Sequence, residues 1–161
     1  VVDPTEVEAW ALQRLDSRTE WLNEHTEDPE VTIPGTPQVL HGDFTEKNLF
    51  FGVDRVTSVI DWGQPCIAPP AWEVVRAIDI VLAFDPARCR AFVEAYRTQR
   101  PMPRELLDAA FEAYTRIRAH DSWIFEAIYV EKNDRVRRFV RPGRFNPHIS
   151  RWRRIRREIF D

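Results

Sequence analysis

Between Gln38 and Trp62 the chain reads QVLHGDFTEKNLFFGVDRVTSVIDW, and this stretch limits the folds open to it. Its β-branched and aromatic runs at 38–40, 49–51 and 56–60 are short, and turn-forming residues interrupt them. Gly52 to Arg55 suits a hairpin connection. Such pieces cannot build a barrel or sandwich. They fit a small β-loop carried by something else, and the rest of the chain supplies helices.

Residues 4–25 show an apolar stripe of Val7, Trp10, Ala11, Leu15 and Leu22, with Asp3 as N-cap and Pro4 at the first helical position. The Pro- and Gly-rich stretch EDPEVTIPGTP is a loop leading into the β segments. PCIAPP at 65–70 is expected to be an ordered loop because of its prolines. Helical composition follows at 71–84, 86–98, 104–119 and 149–160, and the aromatic segment 122–131 is expected to be helical as well, with Trp123, Phe125 and Tyr129 in the core. The expected fold is mainly α (α+β), in one domain over 1–161, since no repeat or Gly/Ser linker divides the chain.

Hydrophobic content of 43% and charged content of 30% suit a globular domain. Cys66 and Cys89 lack CxxC spacing or a His cluster, so reduced thiols and a cytoplasmic setting are expected. No apolar run approaches a membrane span. The chain opens at Val1 without Met, as a processed product or a piece of a longer gene would.

The net charge of -3 is unevenly spread. Asp3, Glu6, Glu8, Asp16, Glu20, Glu24, Glu27, Asp28 and Glu30 face only Arg14 and Arg18 in the first 34 residues. Arg135, Arg137, Arg138, Arg141, Arg144, Arg151, Arg153, Arg154, Arg156 and Arg157 crowd the other end. Attraction between the two ends is expected. The basic stretch alone suggests a nucleic-acid surface, but acidity overall and the lack of a nucleic-acid motif argue against one, and no nucleic-acid or membrane partner is expected.

Chemistry concentrates in HGDFTEKN and IDW. A hairpin would bring Asp61 beside Asn48, and one carboxylate with one amide oxygen makes a hard donor pair suited to Mg²⁺. Asp43 is then free to act as a base. In phosphoryl transfer such a base orients the acceptor hydroxyl and takes its proton, while a metal neutralises phosphate charge.

These residues resemble the catalytic loop and metal-binding segment of the aminoglycoside phosphotransferase family, which shares the protein-kinase-like fold. The resemblance implies Asp43 as catalytic base, His41 and Gly42 as loop scaffold, and Asn48 and Asp61 as Mg²⁺ ligands and cofactor-binding residues. Asp61-Trp62-Gly63 is similar to the kinase Asp-Phe-Gly triplet. Glu73 in PPAWEVVRA falls where the family has an acid that braces the loop, although a solvated first-turn acid would look the same. Lys47 and Thr45 are expected to be solvated loop residues.

The resemblance implies an ATP-dependent transfer of the γ-phosphate to a small-molecule hydroxyl. It covers the C-terminal lobe alone. Five glycines and the lysines Lys47 and Lys132 provide no phosphate-covering loop or phosphate-pairing Lys ahead of His41, so the nucleotide-binding N-terminal lobe is missing and would come from elsewhere or from a partner chain. Little activity is expected of the chain alone. The acceptor stays open among aminoglycoside, homoserine, choline and sugar. A non-catalytic pseudokinase-like binding module is one alternative. The other is an Fe(II)/2-oxoglutarate oxygenase using His41, Asp43 and a later His120 or His148.

Overall fold

The computed structural model describes residues 4–26, 32–140 and 142–161; Asp3, expected as an N-cap, lies outside them. In chain order the elements are α1 (Pro4–Glu24), β1 (Gln38–Leu40), β2 (Leu49–Phe51), β3 (Val56–Val59), β4 (Cys66–Ala68), α2 (Pro70–Ile80), α3 (Pro86–Gln99), α4 (Arg104–Ala119), α5 (Trp123–Phe125) and α6 (His148–Phe160). Short 3-10 turns occupy Glu46–Asn48 and Asp134–Phe139. The mainly helical α+β class expected from the sequence is the one observed.

The chain divides into two compact units, residues 1–31 with 116–147 and residues 32–115 with 148–161. In the first, the i, i+4 spacing of Val7 and Ala11 gives α1 a buried face. That face packs with Ile128 and Val140, and Trp10, Ile124, Phe125 and Val136 close the cluster. Arg18 lies over both Phe125 and Phe145, 5.5 and 5.4 Å from the ring centroids, and its guanidinium donates to the Asp121 carbonyl. Ser17 Oγ accepts from Phe145 N at 2.8 Å. The acidic front and basic stretch meet here through an Arg144–Glu20 ion pair.

Segment 122–131 is helical, but after α5 it widens into a π-helix over Glu126–Val130. Ala127 and Ile128 of the π-helix are buried, whereas Trp123 and Tyr129 are exposed. Of the three aromatics expected in the core, only Phe125 packs against it.

The second unit holds both strand pairs. β1 pairs antiparallel with β4 (Val39 opposite Ile67), and β2 with β3 (Leu49 opposite Val59), with an irregularity between Phe50 and Phe51. The β4 strand corrects the loop expected at 65–70. Pro65 and Pro69 flank the three paired residues rather than interrupt them, and an edge strand in a two-stranded sheet tolerates that arrangement. Helix α2 stops at Ile80 and not near 84, because Ala83 and Phe84 adopt left-handed backbone (φ 52° and 59°) and Phe84 N closes on the Ile78 carbonyl at 3.0 Å.

Pro70 and Pro86 open α2 and α3 at positions where a missing N–H costs nothing, and Asp85 caps α3 by accepting from Arg88 N. The core joins Val75 and Ile78 of α2, Cys89 and Val93 of α3, Leu107, Phe111 and Tyr114 of α4, and Trp152 and Ile159 of α6. Phe111 stacks on Trp152 with centroids 4.7 Å apart. Each large side chain buried here contributes roughly 1.5–3 kcal/mol. Burial pushes the Cys89 thiol up to about 12, so it is an inert apolar filler; both cysteines are free. On the outer side of α6, Arg153 and Arg156 pair with Glu112 and Asp108 of α4, so acids from a neighbouring helix offset part of the basic stretch.

Asp79 of α2 ties this core together. Its carboxylate accepts from Tyr114 Oη at 2.8 Å and meets His148 Nε2 and Arg151, each at 3.3 Å. Burial alone would raise its pKa, but the hydrogen bond and charge of His148, the Tyr114 hydroxyl and the Arg151 charge outweigh it and hold the carboxyl below its ordinary value. Because the folded value is depressed, this stabilisation is complete above the unfolded value of about 4 and is lost as pH falls through the folded one. Thermal melts stepped from pH 6 downwards should therefore show a steep loss of stability below about pH 4, and a shallower one in Asp79→Asn. Equal slopes would show that this carboxylate does not carry the dependence.

Candidate active site

β1 delivers the chain into His41, which is buried at 3% exposure. Its Nε2 donates to the Ile60 carbonyl at 2.7 Å, and its Nδ1 accepts from Asp43 N at 3.2 Å. Both ring nitrogens are committed to backbone, as in the Nε2–H tautomer. The ring also lies 4.7 Å from that of Trp62. His41 is thus the peg that fixes the 41–43 turn to the end of the β2–β3 hairpin.

Gly42 is required by geometry. It sits at φ +81°, and a Cβ there would lie 1.8 Å from the Gln64 carbonyl oxygen. Its amide donates to Glu73 Oε1 at 2.7 Å, while His41 N donates to Glu73 Oε2 at 3.3 Å. One carboxylate in the first turn of α2 therefore holds two successive loop amides, which is the brace expected of Glu73. Behind the loop, Leu40, Phe44, Val74, Phe92 and Tyr96 line a cavity of about 200 Å³.

Asp43 follows with its side chain 39% exposed. The 3-10 turn Glu46–Asn48 brings Asn48 back beside it. The buried amide Nδ2 of Asn48 donates to the Asp43 carbonyl at 2.8 Å and to Asp43 Oδ2 at 3.2 Å. The hairpin then returns, and Ile60 N donates to the Asn48 carbonyl at 3.0 Å. His41, Asp43 and Asn48 are thus joined directly, and Asp61 is the next residue along from Ile60, the partner that His41 and Asn48 share. Asp61 is exposed and left-handed (φ 61°), a conformation Asp tolerates better than most residues. Lys47 is exposed, as expected, and Thr45 half-buried.

The donor set fits a hard divalent cation. With Nδ2 of Asn48 engaged by Asp43, the amide turns its Oδ1 end away from that residue. Gly63, whose added Cβ would come within 3.3 Å of Asp61 Oδ1, keeps that carboxylate uncrowded. Among the described residues no three His, Cys, Asp or Glu side chains gather as a metal cage, and Mg²⁺ takes one or two protein carboxylates with water and phosphate completing its shell. The Fe(II) alternative does not fit, because both ring nitrogens of His41 are occupied and the described strands are three or four residues long.

One residue of the site carries no motif in the sequence. Arg76, three residues after Glu73 on α2, points its guanidinium at Asp43 Oδ1, 3.8 Å away, with its own side chain 20% exposed. The i, i+3 spacing in EVVR was the available signal.

The class is therefore a helical α+β protein in which a helix carboxylate clamps an Asp-bearing loop. The profile of the Phosphotransferase enzyme family matches residues 3–118, and the chain belongs to that family. No curated protein matches it. Solved structures similar to it include two ternary complexes of thermostable mutants of aminoglycoside phosphotransferase APH(4)-Ia, one with AMP-PNP and hygromycin B and one with ADP and hygromycin B. Each is 19% identical, with TM-scores of 0.41 and 0.43, covering 98% and 100% of this chain but 46% and 47% of theirs. An apo form of a thermostable mutant is 22% identical with a TM-score of 0.41. The chain spans just under half the length of these proteins.

Proposed function

We propose that this chain is the C-terminal, catalytic lobe of an ATP-dependent phosphotransferase that moves a γ-phosphoryl group onto a hydroxyl of a small molecule. The observation that carries this reading is the half-exposed Asp43 carboxylate held against Asn48 on a loop whose amides Glu73 grips, inside the stretch matched by the family. The lobe that covers the nucleotide would come from a further segment or a partner chain.

In this mechanism Asp43 accepts the proton of the acceptor hydroxyl as its oxygen bonds to the γ-phosphorus. The bond from that phosphorus to the β–γ bridging oxygen breaks, and ADP leaves. His41 and Gly42 keep the loop in shape. Asn48 Oδ1 and the Asp61 carboxylate would hold Mg²⁺, which when bound neutralises phosphate charge. Among the described residues no helix is long and apolar enough to cross a membrane, and dependence on MgATP fits a cytoplasmic reaction.

The test is a titration of MgATP into the two-lobed protein. Asp61→Asn is expected to weaken binding by 10-fold or more, on the order of the loss for a changed metal ligand or its partner, whereas Asp43→Asn leaves it near wild type. Equal affinities for wild type and Asp61→Asn would remove Asp61 from the metal site.

A further inference from the structure

We propose that Arg76 is a positioning residue for Asp43, fixing the plane of the carboxylate that takes the proton. The inference rests on the functional reading above and adds a residue that family membership does not name. A carboxylate tethered at one oxygen still turns about its χ2 torsion, which is broad for Asp. Asn48 Nδ2 tethers only Oδ2, at 3.2 Å. The second oxygen, Oδ1, faces Arg76 Nη2 at 3.8 Å. With a hydrogen bond at one oxygen and a positive charge beside the other, the carboxylate favours one orientation toward an incoming hydroxyl.

The anchor is well placed for this. Arg76 and Glu73 share α2, so the helix that grips the His41 and Gly42 amides also carries the guanidinium. The helix is locked below by Asp79 against Tyr114, His148 and Arg151, and by Val75 and Ile78, both fully buried. Brace and positioning group therefore belong to one helix of the second unit, packed against the loop that carries the base. Arg suits the task better than Lys, because its planar guanidinium presents a fixed edge to a carboxylate whereas an ammonium is a mobile point charge.

Two measurements test it. In the 161-residue chain, the side-chain amide NMR signals of Asn48 report on its contact with Asp43 Oδ2. Arg76→Gln should shift and broaden them, and Arg76→Lys should restore them in part. In the two-lobed enzyme, Arg76→Gln should lower kcat by about 10²-fold, the scale of a misplaced catalytic group, with KM for ATP and acceptor within about twofold, and Arg76→Lys should recover part of kcat. Unmoved Asn48 signals would overturn the proposal. So would a raised KM with unchanged kcat, which would make Arg76 a binding group for an acidic acceptor. If the wild-type enzyme transfers no phosphate while the Asn48 signals still respond, the functional reading fails and the Arg76–Asp43 coupling stands.

Discussion

Gly42→Ala is expected to destroy the loop while leaving the helical core folded. The added Cβ would sit 1.8 Å from the Gln64 carbonyl oxygen, and Gly42 occupies φ +81°, where a Cβ costs roughly 1–2 kcal/mol before any clash is counted. The contact is with backbone and cannot be relieved by a rotamer change, so the turn has to move. Moving it breaks the two amide hydrogen bonds to Glu73, each charge-assisted and worth about 1.5–3 kcal/mol. The total is about 4–8 kcal/mol, exceptional for a single substitution. Chemical denaturation with amide exchange at residues 41–43 checks it: loss of protection confined to the loop with a lowered midpoint is expected. An unchanged midpoint would mean that the close approach of Gly42 to Gln64 is not obligatory.

Asp43→Asn carries the largest expected functional effect. A positioned general base accelerates transfer by about 10²–10⁴-fold, and an amide of the same shape cannot take the proton. The substituted side chain still has an oxygen to accept from Asn48 Nδ2, so the loop should keep its geometry. Steady-state kinetics should accordingly show kcat reduced by about 10²–10⁴ with nucleotide affinity preserved. Transfer at the wild-type rate would remove Asp43 from the chemistry.

Much of the fold was legible because local rules and tertiary packing agree. The 3.6-residue spacing of Val7 and Ala11, the prolines opening α2 and α3, and the turn at 52–55 all mark their elements. The strand at Cys66–Ala68 was hidden because its prolines read as breakers, and only its partner β1, some 26 residues earlier, turns the segment into a strand. The sequence does not mark the end of α2, because apolar composition continues through Leu82 and Phe84, which pack on the core after the helix has stopped. Burial of Ala127 and Ile128 in place of Tyr129 falls within the π-helix, whose wider turn departs from the ordinary helical period.

The site was legible in proportion to its nearness in sequence. His41, Asp43 and Asn48 lie within one short loop and meet directly. Glu73 could be inferred only by resemblance until its two hydrogen bonds were visible. Arg76 is marked only by its i, i+3 spacing from Glu73, which does not say which way that helix face points; its part emerges from the packing of α2 against the loop.

The measurement that bears most directly on the function is product analysis after incubating the two-lobed protein with MgATP and a panel of hydroxyl acceptors, including an aminoglycoside, homoserine, choline and a sugar. The expected result is one acceptor class carrying a single new phosphoryl group, formed one for one with ADP, and lost in Asp43→Asn. Nucleotide bound with no acceptor phosphorylated, or ADP released equally by wild type and Asp43→Asn, would contradict a catalytic loop at residues 41–61 and favour a binding module built on the same fold.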